Sequence, residues 1–148
     1  MKSRLFAAAA VAAMIFAGCS SSTDESKTSS AAADGEKTET AYVATDGGEI
    51  SASVTKKDGK VTAISIDEST EDGSTKKELG EEYGMKKNSG IGKEWNEEIE
   101  FLENYMVEHG IDSVKLNADG YAENEDVKSG CTINLSKIME AVNEANAK

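Results

Sequence analysis

The chain lacks proline altogether, has one histidine and two cysteines in 148 residues, and is poor in aromatics, with one Trp, four Tyr and three Phe. Basic residues are also in deficit: 16 Lys and Arg stand against 28 Asp and Glu, for a formal charge of -12. Each shortage excludes something. One His and two Cys cannot complete the nitrogen and sulfur ligand set of a structural zinc ion, so no metal site is expected. A charge of this sign repels phosphate backbones, and the lysines are scattered among carboxylates, so nucleic acid is not a partner. No apolar run reaches the ~20 residues of a permanent membrane-spanning helix. What is present, 38% hydrophobic residues, suffices for one modest domain.

Met1-Lys2-Ser3-Arg4, the apolar run Leu5 to Ala17 and Gly18-Cys19 read as a cleavable export signal. Phe16-Ala17-Gly18-Cys19 resembles the bacterial lipobox. The resemblance implies that residues 1–18 are a lipoprotein signal peptide and that Cys19 becomes the lipidated first residue of the mature chain. The protein is then a lipid-anchored lipoprotein, palmitate-type chains holding it on the extracytoplasmic face of the cell membrane. Two or more acyl chains anchor stably where one is marginal. The tail of the cleaved signal, Val11 to Gly18, is a lesser candidate for a short peptide signal. Removing residues 1–18 takes away Lys2 and Arg4 and leaves 14 basic against 28 acidic side chains, a net charge of -14. Cys131 is then the one free thiol, so no intramolecular disulfide forms.

Ser20 to Thr40 holds no large apolar residue, so residues 19–40 are expected to be the lipidated Cys19 and a disordered tether, with the folded domain at 41–148. An extended stretch opens at Tyr42-Val43 and continues through Ile50, Ala52 and Val54. An Asp58-Gly59 turn then leads into Val61 to Ile66, giving a β-hairpin with Thr62, Ile64 and Ile66 on one face. Asp67 to Lys77 reads as an acidic loop. Trp95, Ile99, Leu102 and Met106 fall at i, i+4, i+7 and i+11, predicting a helix from about Lys93 to His109 that ends at Gly110. Val114 and Leu116 suggest a short strand, followed by a turn at Asn117 to Gly120. A second helix follows Asn134, its cap, and carries Leu135, Ile138, Met139, Val142 and Ala145 on one stripe. The order predicts an α+β fold: a small antiparallel or mixed sheet with an N-terminal hairpin, packed against two helices.

Most chemical motifs fail on inspection. Gly90-Ile91-Gly92 has Trp95 where a dinucleotide loop needs its third glycine. Lys115 and Leu79 stand where calcium loops around Gly120 and Gly73 need carboxylates. His109 is either a general base or, as we prefer, a charge complement at the helix end. Cys131 is either a redox thiol or, the preferred reading, a small packed side chain. The Trp95 stripe reads as core before cofactor platform. Asp126 to Asn134 remains, where Gly130 permits a tight turn and the amides entering the last helix can receive an anion beside the Thr132 hydroxyl. On chemistry alone a simple Ser/Thr-rich start to the helix is the preferred reading.

Asp126-Val127-Lys128-Ser129-Gly130-Cys131-Thr132 resembles the Asp-x-x-Ser/Thr-Gly-Ala-Thr mark of the extracytoplasmic FMN-binding domain family, with Cys131 in the alanine position. Members of that family include flavin-carrying subunits of ion-pumping electron-transfer complexes and lipoproteins of Gram-positive bacteria. Tyr83-Gly84-Met85-Lys86 and Ser89-Gly90-Ile91-Gly92-Lys93-Glu94-Trp95 are similar to a segment of such lipoproteins. The resemblance covers roughly residues 41–148. It implies FMN joined covalently through its phosphate to Thr132 by a flavin transferase, Ser129 and Gly130 shaping the turn, and Asp126 serving transferase recognition. Tyr83, Met85 and Trp95 are candidates to pack near the ring. The implied function is an electron-transfer flavoprotein serving a redox partner that the sequence does not identify. The rival is a non-catalytic surface lipoprotein of the same fold that binds a partner or small ligand without flavin. A self-standing enzyme is least favoured, since no catalytic acid pair and no nucleophile with an evident base is recognisable.

Overall fold

The structure is a computed structural model that describes residues 35–148. The expected signal peptide, the expected lipidation site Cys19 and the expected tether up to residue 34 lie outside the described residues. Three strands, β1 (Glu36–Thr45), β2 (Gly48–Lys57) and β3 (Lys60–Glu68), form an antiparallel meander in the order β1-β2-β3. Alternation puts Ala41 and Val43, then Ile50, Ala52 and Val54, then Ile64 and Ile66 on one buried face. In register, Val43 faces Ile50, Ala52 faces both Ala41 and Ile66, and Val54 faces Ile64.

The strand boundaries differ from expectation in two places. Thr45-Asp46-Gly47-Gly48 is a second Asp-Gly turn, so the stretch from Tyr42 to Val54 is two strands and the hairpin becomes a three-stranded sheet. Residues 36–40, expected in the tether, belong to β1. No large side chain is needed there, because hydroxyls pair across the strands: Thr38 with Thr55 and Thr40 with Ser53, each at 2.8 Å. At the second turn Asp58 and Gly59 both take positive φ, 53° and 78°, the backbone that a tight two-residue hairpin requires. Thr62 does not share the face of Ile64 and Ile66. A register shift opposite Thr55 and Lys56 leaves Thr62 exposed and turns Val61 toward the core.

Four helices follow: α1 (Lys76–Leu79), α2 (Trp95–His109), α3 (Glu125–Lys128) and α4 (Ser136–Ala147). Helix α1, which takes the last two residues of the expected loop and runs two beyond it, is started by a capping box between Thr75 and Glu78. Helix α2 begins at Trp95 instead of Lys93, since the Glu97 carboxylate accepts from the Glu94 amide at 2.8 Å and fixes the start. It packs on β3, burying Trp95, Glu98, Ile99, Leu102 and Met106, and Gly110 closes it at φ 91°. Helix α4 packs on β1 and β2, and it starts two residues after Asn134, whose Oδ1 accepts from the Ser136 amide at 3.0 Å. The expected strand at Val114 and Leu116 is one isolated bridge, Leu116 to Ala122, because a 3-10 turn at Ile111–Ser113 and the Asn124 side chain on the Lys115 amide stop the ladder. The architecture is α+β, an antiparallel sheet covered by helices. Among the described residues no helix is long and apolar enough to cross a membrane.

The sheet end is closed by Ser69, whose amide donates to the Glu49 carbonyl at 2.9 Å. That closure requires glycine at 48: a Cβ there would lie 2.0 Å from the Ser69 carbonyl oxygen, whereas a Cβ at Gly47 meets nothing within 4 Å. Gly48→Ala is expected to destabilise by about 1–3 kcal/mol or more, as overpacking does, with Gly47→Ala near neutral. Thermal or urea unfolding of the two variants checks this, and equal midpoints would contradict it.

Candidate functional site

The Asp126-to-Thr132 segment is short helix α3 and the turn behind it. Ser129 Oγ donates to the Asp126 carbonyl at 2.6 Å, and the Gly130 and Cys131 amides donate to the Val127 carbonyl at 3.1 and 2.8 Å. Gly130 lies flat against an aromatic ring of α2. A Cβ on it would be 2.4 Å from the Phe101 ring carbons, so the glycine is required by close approach.

Helix α2 supplies the other half. The Glu98 side chain is fully buried, at 0% exposure, and receives three donors: Ser89 Oγ at 2.7 Å, the Thr132 amide at 2.6 Å, and Thr132 Oγ1 at 3.1 and 3.2 Å to its two oxygens. One turn earlier Glu94, also buried, accepts from the Met85 and Lys86 amides at 2.8 and 3.1 Å. Two glutamates at i and i+4 therefore hold two loops against one helix, each with the hydrogen bonds that a buried carboxylate demands.

The four motif residues do not converge. Asp126 and Ser129 are exposed and line a groove with Phe101, Tyr105 and His109 of α2. Thr132, half-buried, turns its hydroxyl the other way, to Glu98. Its neighbours Ile133 and Asn134 line a different hollow of about 290 Å³, which also gathers Tyr83, Met85 and Trp95. The three side chains proposed from chemistry to lie near a flavin ring thus share one cavity. Lys76 sits at its rim, with Nζ 5.0 Å from the Tyr83 ring centre, 5.4 Å from that of Trp95 and 2.7 Å from Glu68. Thr45 also lines the hollow, and its Oγ1 is buried without a hydrogen-bond partner among the described residues.

His109 occupies the last turn of α2, exposed, with its ring 4.6 Å from that of Tyr105. That is the helix-end position preferred from the sequence. Cys131 is packed in the core, and burial, then the Glu98 charge, push its thiol up to about 12. A neutral buried thiol is neither a nucleophile nor a redox group at physiological pH, so the packing role holds. Sequence reasoning missed Glu94 and Glu98. The signal was there for Glu98: it falls three residues after Trp95 and four before Leu102, inside the apolar stripe, where a glutamate must be buried and paired.

A comparison with known protein families finds no match, and no curated protein matches either. Among solved structures, the fold is similar to a solution NMR structure of a Clostridium thermocellum protein, determined as a structural-genomics target. The two chains are 25% identical with a TM-score of 0.51, over 74% of this chain and 88% of that one.

The Cys131 environment makes a direct prediction. Native protein at pH 8 should resist alkylation at Cys131 and react only after unfolding, as followed by intact mass. The unfolded chain ionises this thiol first, so the native advantage of keeping it neutral is complete below the ordinary thiol range and is lost as pH rises toward about 12. Rapid alkylation of folded protein would contradict the burial.

Proposed function

We propose that this chain is a membrane-anchored extracytoplasmic carrier of electrons that holds FMN covalently on Thr132, with Cys19 as the lipid anchor and a flavin transferase as the enzyme that loads it. The observation that carries the reading is the hollow beside Thr132. A slot walled by Tyr83, Met85, Trp95 and Ile133, with an unpartnered hydroxyl at Thr45 and with Glu68, Lys76 and Lys137 also on its lining, suits a planar aromatic ring with polar edge atoms. The residues present fit the group. Thr132 offers a half-buried hydroxyl at a turn, Gly130 keeps that turn flat on Phe101, and Ile133 and Asn134 lead from the attachment point into the slot. When bound, the isoalloxazine supplies one- and two-electron chemistry, and the chain supplies position and surroundings. Trp95, Tyr83 and Met85 would hold the ring, Thr45 Oγ1 would offer it a hydroxyl, and Lys76, paired with Glu68, would stand at the edge of the slot. Asp126 and Ser129, exposed on the neighbouring groove, are the groups a loading enzyme can read.

One observation favours the alternative, a surface lipoprotein that binds a partner without flavin: the Thr132 hydroxyl already has a partner in Glu98. Coexpression with a flavin transferase separates the two readings. The chain is expected to gain the mass of one FMN on the peptide containing Thr132, and Thr132→Val, which removes the hydroxyl at nearly constant volume, to gain none. With one tryptophan in the sequence, emission is a local probe: Trp95 in the loaded protein should be strongly quenched relative to Thr132→Val. A colourless, unmodified product supports the flavin-free alternative, and a loaded protein with unquenched Trp95 puts the ring outside the hollow.

A further inference from the structure

We infer that Glu98 is the proton acceptor for Thr132 Oγ1 when a flavin phosphate is transferred onto that oxygen, an assignment that rests on Thr132 being the attachment point. The inference begins from a cost. Glu98 is fully buried, and among the described residues no lysine or arginine lies within salt-bridge distance of it. A buried carboxylate held only by neutral donors is expensive. Holding the Ser89 and Thr132 loops together is a task that a neutral glutamine of the same shape also performs. The charge therefore asks for a chemical use, and the geometry points to one. The Thr132 hydroxyl donates to the carboxylate, 3.1 and 3.2 Å from Oγ1 to the two oxygens, which leaves the lone pairs of Oγ1 free to attack. The Thr132 amide on Oε2 and the Ser89 hydroxyl on Oε1 fix the carboxylate against rotation. A hydroxyl, an adjoining carboxylate and second donors orienting that carboxylate form the nucleophile, base and orienter arrangement of acyl and phosphoryl transfer.

The step balances with a flavin dinucleotide as donor. The Oγ1–P bond forms while the phosphoanhydride P–O bond breaks, the nucleoside monophosphate leaves with the electron pair, and the Thr132 proton passes to Glu98. No electrons are exchanged with an oxidant or reductant. The proton has a second consequence. Two anions about 3 Å apart in a buried site repel strongly, whereas a protonated Glu98 is neutral and donates a hydrogen bond toward the new ester. The same side chain thus accepts the proton in the transfer and tolerates the product. The titratable and charged groups around it are Cys131, held neutral and itself acted on by Lys93, and Glu94 one turn away on α2.

The test uses the full chain with a flavin transferase and its dinucleotide, following flavin attachment by in-gel fluorescence and intact mass over a series of chain concentrations. Glu98→Gln is expected to fold, with native Trp95 emission, and to load at least tenfold more slowly, within the ~10²–10⁴ range of positioned proton acceptors. The loss should fall on the turnover rate, with the transferase's KM for the chain unchanged, a split that misplacement of the turn by a purely structural role would not produce. If Glu98→Gln does not fold, Glu98→Asp serves: it keeps the charge, withdraws the carboxylate by one methylene, and should load at least tenfold more slowly at neutral pH. Equal rates for wild type and either folded variant, or a loss confined to KM, overturn the assignment while leaving Thr132 as the attachment point. No adduct on wild-type Thr132 overturns both.

Discussion

The Glu98 carboxylate is the constraint on which the site depends. It is fully buried in the interior of a small domain, and it reaches two loops that are 43 residues apart, through Ser89 and Thr132. An unpaired buried polar group costs roughly 1–3 kcal/mol and a charged one more, so these loops cannot drift from α2 without exposing the domain to that penalty. The turn before α4 and the segment before α2 consequently belong to one structural unit, although neither contains a regular element of its own beyond short α3.

The rest of the site follows from what α2 offers on its other positions. Glu94 fixes Met85 and Lys86 by the same means, which brings Met85 and Tyr83 over Trp95 and gives the hollow its walls. Phe101 gives Gly130 a flat surface to lie on, and this sets the path of the chain into Thr132. The sheet supplies the floor: Thr45 at the end of β1 and Ile50 at the start of β2 both reach the same cavity. A helix with an apolar stripe for the core and two carboxylates for the loops therefore converts a simple α+β scaffold into a site.

Much of the scaffold was legible in the sequence because it rests on periodicity. The Trp95, Ile99, Leu102, Met106 stripe is buried as spaced, the Asp58-Gly59 turn has the positive φ values its residues favour, and α4 buries Ile138, Met139, Val142 and Ala145. What failed did so where local pattern is silent. Apolar alternation runs straight across Asp46-Gly47 and hides that turn, and the bulge that expels Thr62 is a property of strand pairing, not of the strand. The start of β1 at Glu36 is carried by cross-strand hydroxyls that composition reads as linker. The site was half legible. Thr132 and the trio Tyr83, Met85 and Trp95 could be named, but linear adjacency does not say that Asp126 and Ser129 open on one side of the turn and Thr132 on the other. The burial of Glu98 could be read from its place in the apolar stripe, but its partner Thr132 lies 34 residues away in the chain, beyond the reach of local pattern.

The bond between Glu98 and the Thr132 backbone is the element to measure first. Hydrogen exchange and proton chemical shift of the Thr132 amide, read by NMR on the folded chain, report it directly. A charge-assisted 2.6 Å contact to a buried carboxylate predicts a strongly downfield amide proton, protected well beyond the exposed loop amides and shifted upfield when Glu98 is replaced by glutamine. An amide that exchanges as fast as those of exposed turns, at an ordinary chemical shift, would contradict the account.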